Sequence, residues 1–273
     1  MRVRFWGVRG FYPTPGEEFA KYGGNTAAYE VISDAGETLL VDVGTGAVAL
    51  GRALMAGDLG QGMGQLPILL TDTHLDHTGG LPFFTPAFVP GNRLDLYGAA
   101  PKGLRQVLDA LFDPHVCPIS NVDNLAANVG IHDVPQESIG IADFTVTGRR
   151  VPHGRDTGVG WRIEADGKIL AVLTAVDHPD GPLAESMLAI ARDADLLIHI
   201  ASWRDPDEWS SRWGGAASHK ALAVAHGAQA KRLCLSHYGP RTTDARLDEM
   251  VERLGAVAHI PVVASREGEE IEL

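Results

Sequence analysis

Three side chains able to bind a metal ion, His74, Asp76 and His77, fall within four positions in the stretch Thr71-Asp72-Thr73-His74-Leu75-Asp76-His77-Thr78-Gly79-Gly80-Leu81-Pro82. Imidazole and carboxylate together suit zinc, manganese or iron, and donors this close can serve two adjacent ions. A blander alternative is that two histidines and two aspartates merely cap a helix and face water. The preceding residues, Pro67 to Thr71 (PILLT), argue against it, because they have the pattern of a buried strand. Loops that follow such strands are where a rigid scaffold aims side chains into a cleft.

The elements that must position these residues alternate along the whole chain. Arg2 to Gly7 alternates polar and apolar residues, the mark of a half-buried strand. Ala27 to Ser33 and Thr38 to Val43 form an expected hairpin through Asp34-Ala35-Gly36, and Ala47 to Ala56 an expected helix. Arg93 to Tyr97 is a short strand and Pro101 to Leu111 a helix with proline near its start. Residues 112 to 141 look irregular, with weak strand signals near Gly130 to Val134, and are expected to form a surface excursion or lid. Strands then follow at Phe144 to Val151, Gly158 to Glu164 and Lys168 to Leu173, with Asp166-Gly167 as the turn between the last two. Helices are expected over Pro182 to Arg192, Lys220 to Ala228 and Thr243 to Leu254, the last capped by Thr242 or Thr243. Strands are expected at Asp195 to Ile200, Arg232 to Ser236, Pro261 to Ala264 and Glu270 to Leu273. No sequence repeat or low-complexity linker divides the chain.

Composition narrows the partners. The 273 residues carry 23 Lys and Arg against 35 Asp and Glu, a formal charge of −12, which disfavours a long nucleic acid backbone as partner. A chain of this length can bury a sufficient core without staples, and residues 1–273 read as one domain. Cys117 and Cys234 lie far apart and are expected to be buried, reduced thiols. The N-terminus lacks a signal-peptide core and no apolar run approaches the about 18 residues of a membrane span, so the expected address is the cytoplasm, with no membrane partner.

The stretch around His74 resembles the metallo-β-lactamase superfamily, whose hallmark is HxHxDH after a buried strand. The resemblance spans almost the whole chain. Val3-Arg4-Phe5-Trp6-Gly7-Val8-Arg9-Gly10 and Tyr22-Gly23-Gly24-Asn25-Thr26 look like the opening of the branch that holds ribonuclease Z and cyclic-nucleotide phosphodiesterases. Leu40-Val41-Asp42-Val43-Gly44 looks like the family's strand-Asp-turn motif, in which the aspartate orients the site. His153, before Gly154, matches the third metal-binding stretch, and His237 in Ser236-His237-Tyr238-Gly239 the terminal one. His219, opening a helix, resembles a histidine that donates a proton to the leaving oxygen or stabilises phosphate charge; helix capping is its plain alternative.

The resemblance implies an α/β fold, an αββα sandwich of two mixed β-sheets with helices on the outer faces. It implies two divalent ions, zinc first, with manganese or iron as alternatives, held about 3.5–4 Å apart. Their ligands would be Asp72, His74, Asp76, His77, His153, Asp177 and His237, with Asp76 also orienting the nucleophile and His219 assisting the leaving group. Three departures stand out. Asp72 occupies the place of the first hallmark histidine. In Thr174-Ala175-Val176-Asp177-His178, an ungapped match puts Ala175 where the bridging aspartate belongs, whereas a two-residue slip supplies Asp177. Ile200, after His199, removes a carboxylate common in the branch, which leaves His199 a structural reading. The expected function is hydrolysis of a small phosphodiester or cyclic nucleotide by a homodimer. Hydrolysis of a lactone, thioester or other acyl compound is one alternative, and a degenerate metal-binding protein another. Trp203, Trp209 and Trp213 suggest a pocket wall, dimer contact or core, and Arg204 and Arg212 a phosphate contact or plain surface charge.

Overall fold

Alternation of side chains across a strand lets one sheet bury both faces when partners cover each, and this chain builds two such sheets. The computed structural model describes residues 1–115, 117, 121–154, 156–178, 181–201 and 218–273. The first sheet takes β1 (Arg2–Gly7), β2 (Ala28–Ile32), β3 (Thr38–Val41), β4 (Gln65–Leu69), β5 (Arg93–Gly98) and β6 (Asn128–Asp133) in sequence order. The second takes β7 (Ile139–Ile141), β8 (Phe144–His153), β9 (Asp156–Ala165), β10 (Lys168–Leu173), β11 (Leu196–Ile200), β12 (Leu233–Ser236) and β13 (Val262–Ala264). The last strand, β14 (Glu270–Glu272), returns to the first sheet and pairs with β1.

Both sheets are mixed in the same way. Along each, three antiparallel pairings are followed by three parallel ones: β14-β1-β2-β3 then β3-β4-β5-β6, and β7-β8-β9-β10 then β10-β11-β12-β13. A repeat invisible in the residues is therefore present in the topology. Helices α1 (Gly46–Leu54) and α3 (Leu104–Leu111) cover the outer face of the first sheet, where Ala47, Leu50, Leu104 and Leu108 pack with Leu40, Ile68, Leu94 and Leu96. Helices α4 (Glu185–Ala191) and α5 (Ser218–Gly227) pack on the second sheet, and α6 (Asp244–Val257) beside β13. The short α2 (Leu75–Thr78) follows β4.

The inner faces meet through Phe5, Tyr29, Val31 and Val41 on one side and Trp161, Ile163, Val172 and Ile198 on the other. Trp161 Nε1–H crosses between the sheets to donate to the Leu70 carbonyl at 3.0 Å. This αββα architecture is the one expected. Thr243 is the N-cap of α6, its hydroxyl accepting from the Arg246 amide, and both cysteines are buried and unpaired. No helix among the described residues is long and apolar enough to cross a membrane.

The expected lid over residues 112 to 141 is corrected. Its part β6 pairs in register with β5, while Phe112, Cys117, Val122, Leu125 and Ala127 are buried against the first sheet. The strand signal is weak because β6 is an edge strand, half-covered on both faces, with Gly130 diluting its pattern. The three tryptophans and two arginines at 203–213 lie outside the described residues.

Candidate metal centre

The ends of β3, β4, β8 and β12 converge at one edge of the sandwich, and each delivers a polar residue where its ladder stops. After β4 the chain turns through Thr71, Asp72 and His74 into α2, which carries Asp76 and His77 as its second and third residues. His153 is the last residue of β8, and His237 directly follows β12. Asp42, just past β3, and His237 both sit in the left-handed region, at φ 61° and 55°. Such conformations are uncommon for residues other than glycine and cluster at functional sites.

These side chains form two triads with no residue in common, Asp72–His74–His153 and Asp76–His77–His237. In the second, all three members are buried. Asp76 Oδ2 lies 3.0 Å from His237 Nε2 and 3.6 Å from His77 Nε2, and the two Nε2 atoms are 3.1 Å apart. A tetrahedral ion with histidine and carboxylate donors at about 2.0–2.2 Å spaces them about 3.3–3.5 Å apart. The triad thus has the spacing of donors around one ion. In the first triad Asp72 Oδ2 lies against His74 Nδ1 and 3.2 Å from His153 Nε2. The donor set fits a divalent cation at both places.

Asp42 works from behind His77. Its Oδ2 is 2.9 Å from His77 Nδ1 and accepts the Thr71 hydroxyl at 2.7 Å, while its Oδ1 accepts the Thr71 amide at 2.7 Å. Because a carboxylate only accepts, Nδ1 carries the hydrogen and Nε2 is turned into the site. This is the orienting role expected of Asp42. Asp76 is fixed by the Phe11 amide, which donates to Oδ2 at 2.6 Å. His237 is pinned by Gly10, where a Cβ would come within 2.3 Å of ring Cε1. Gly10→Ala is therefore expected to displace the ring, at a cost of about 1–3 kcal/mol from overpacking. Thermal unfolding together with metal content per chain checks it, and both should fall.

The electrostatics favour a cation. Burial works against ionisation of Asp72, but His153, His74 and His77 outweigh it and hold the carboxyl well below the usual range. For Asp76 burial is likewise overcome, by the His77 charge, His237 and the Phe11 amide. Burial would lower His77, yet Asp76 and Asp42 raise it to about 10, and the field that attracts that proton would equally attract a metal ion. Burial pushes His237 down, with Asp76 opposing, which favours the neutral form that can coordinate.

A pocket of about 250 Å³ opens over both triads, lined by Phe11, Leu75 and Ile200 besides His74, Asp76, His77, His153 and His237. Asp177 and His219 are not brought into either triad. The Asp177 carboxylate accepts from the Gly154 amide and its own amide donates to Pro152, while Ala175 and Val176 before it are buried apolar residues. His219 is exposed at the start of α5 and does not line the pocket. His199 is buried and stacked on His178, with their Nε2 atoms 3.3 Å apart, in keeping with its structural reading.

Sequence reasoning missed Phe11 and Gly10 as parts of this site, because they touch it through a backbone amide and a missing Cβ. The Val8–Gly10 segment reaches His237 by bonding to Tyr238, whose amide donates to the Val8 carbonyl at 3.0 Å, and Gly10 returns one to the Tyr238 carbonyl at 2.9 Å.

The model of the family described as the Beta-lactamase superfamily domain matches residues 37–238, which hold every member of both triads. The chain belongs to this family. Among curated relatives, a ribonuclease Z from Brevibacillus brevis is 37% identical over 76 residues, 28% of this chain and 24% of that enzyme. A ribonuclease Z from Cyanothece is 26% identical over 243 residues, 70% of this chain and 73% of that enzyme. Zn²⁺-bound PqqB from Methylobacterium extorquens superposes with a TM-score of 0.72 at 19% identity, over all of both chains, and so shares the β-lactamase superfamily fold.

Proposed function

We propose that this protein is a metal-dependent hydrolase of phosphodiesterase type, acting on a small phosphodiester. The observation that carries it is the pair of adjacent His₂-carboxylate triads under a single pocket. Similarity to ribonuclease Z over 70% of the chain favours phosphodiesters over acyl compounds. A pocket of about 250 Å³ and a formal charge of −12 favour a small substrate over a long nucleic acid.

Asp72, His74 and His153 would hold one ion, and Asp76, His77 and His237 the other, zinc being the first choice and manganese or iron suiting the same donors. When bound, such ions supply positive charge for the phosphoryl oxygens and acidify water. The chain does the rest. Asp42 and Thr71 keep the His77 imidazole in one tautomer, and Phe11 keeps Asp76 ionised and aimed. Among the described lining residues no Lys or Arg meets the substrate anion, so its charge is left to the metal centre. Phe11, Leu75 and Ile200 keep water from one wall. His219, exposed and outside the pocket lining, is given no step, and neither is Asp177, which binds the Gly154 amide instead. The proposal extends to a single domain over residues 1–273, a homodimer, and a cytoplasmic setting that suits two unpaired cysteines.

Purified protein stripped with a chelator is expected to lose hydrolysis of bis(p-nitrophenyl) phosphate and to regain it on adding zinc or manganese. Undiminished activity of stripped protein, with metal verified absent by elemental analysis, would sink the reading.

A further inference from the structure

We propose that the two triads fill in order and unequally: Asp76–His77–His237 is a tight site that fills first, and Asp72–His74–His153 a weaker, exchangeable one. The inference rests on the reading of both triads as metal sites and concerns how this chain has divided them.

That the tight site can fill alone follows from the ligand sets. No residue belongs to both triads, and each has its own single carboxylate, Asp72 in one and Asp76 in the other. A carboxylate shared by two ions would tie their occupancies together, because filling one site would position a donor for the second. Among its described residues the loop after β10 supplies none to either triad: Ala175 and Val176 are buried, and the Asp177 carboxylate meets the Gly154 amide. Asp72 gives the first site the negative charge that such a bridge would otherwise lend it.

Inequality follows from what stands behind the donors. In the second triad His77 is held by Asp42 and Thr71, Asp76 by the Phe11 amide, and the His237 ring by Gly10 and its left-handed backbone. Those donors are already fixed, so little ordering entropy is lost when an ion arrives. The first triad lacks this support. The His74 side chain is 56% exposed, and among the described residues the buried Nδ1 of His153 has no hydrogen-bond partner; His237 Nδ1 has none either, but its ring is held by the close packing of Gly10. Outer partners of this kind typically change metal affinity by about 10–100-fold, which sets the expected gap between the sites.

The test is calorimetric titration of chelator-stripped protein with zinc, repeated with manganese. We expect two separate events of one ion per chain each, the first at least about 10-fold tighter. His74→Ala, at an exposed position that leaves the core intact, should remove the weak event and leave the tight one within about twofold. His77→Ala should do the reverse. A single transition of two equivalent ions, or a His74→Ala variant in which the first event weakens together with the second, would overturn the proposal while leaving the metal sites standing. No binding of either ion by folded wild-type protein would overturn the metal reading itself, and this proposal with it.

Discussion

Replacing His77 by alanine is expected to lower turnover of bis(p-nitrophenyl) phosphate by at least about 1000-fold at saturating metal. His77 is one of three donors in the better supported triad, its Nε2 lying 3.1 Å from His237 Nε2 and 3.6 Å from Asp76 Oδ2. Without it an ion there loses both a ligand and the link to Asp42. Metal stabilisation of a reacting phosphoryl group is worth several kcal/mol, and at about 1.4 kcal/mol per tenfold a loss of about 4 kcal/mol gives that factor. The fold should survive, since the imidazole is held by polar partners at the edge of the sandwich, outside the inter-sheet core. Far-UV circular dichroism would confirm this beside the assay. A folded variant with wild-type turnover would remove His77 from the chemistry.

Asp42→Asn carries the second large effect, and it separates support from ligation. The Asp42 carboxylate accepts three hydrogen bonds, from the Thr71 amide, the Thr71 hydroxyl and His77 Nδ1. An asparagine has only one accepting oxygen, so its NH₂ must face at least one buried donor. An unsatisfied buried group costs about 1–3 kcal/mol and a charged partner adds to it, so a loss of about 3 kcal/mol in unfolding free energy is expected. Asparagine also tolerates the left-handed backbone at φ 61°, so the change isolates the carboxylate; alanine there would add strain of about 1–2 kcal/mol. Metal affinity of the Asp76–His77–His237 triad should fall about 10–100-fold, because His77 loses its fixed tautomer. Denaturant unfolding and zinc titration read the two effects separately. Unchanged affinity alongside reduced stability would make Asp42 purely structural.

Much of this centre was legible in the residues, for a physical reason. Ligands that come from one loop, His74, Asp76 and His77, are close in sequence because they are close in space. His153 and His237 come with the family resemblance, which places a histidine at the end of each of these strands; the residues alone do not single them out. The orienting role of Asp42 comes with the same resemblance. The sequence could not settle Asp177, because a two-residue slip in a loop leaves no trace in periodicity, and only the fold shows its carboxylate turned to Gly154. Phe11 and Gly10 were beyond reach for a different reason: a backbone N–H is the same in every residue but proline, and a close approach to Cα is seen only once the ring beside it is placed. The doubled topology was hidden because strand order depends on pairing across distant segments, whereas residue patterns report only each strand's own two faces.

The most direct test of the central claim sets bis(p-nitrophenyl) phosphate beside p-nitrophenyl acetate as substrates for the same preparation, metal-stripped and then reloaded with zinc or manganese. The account predicts diester hydrolysis that vanishes on stripping and returns on reloading, with the acyl ester turned over little or not at all. Metal-dependent turnover of the acyl ester with the diester untouched would contradict it.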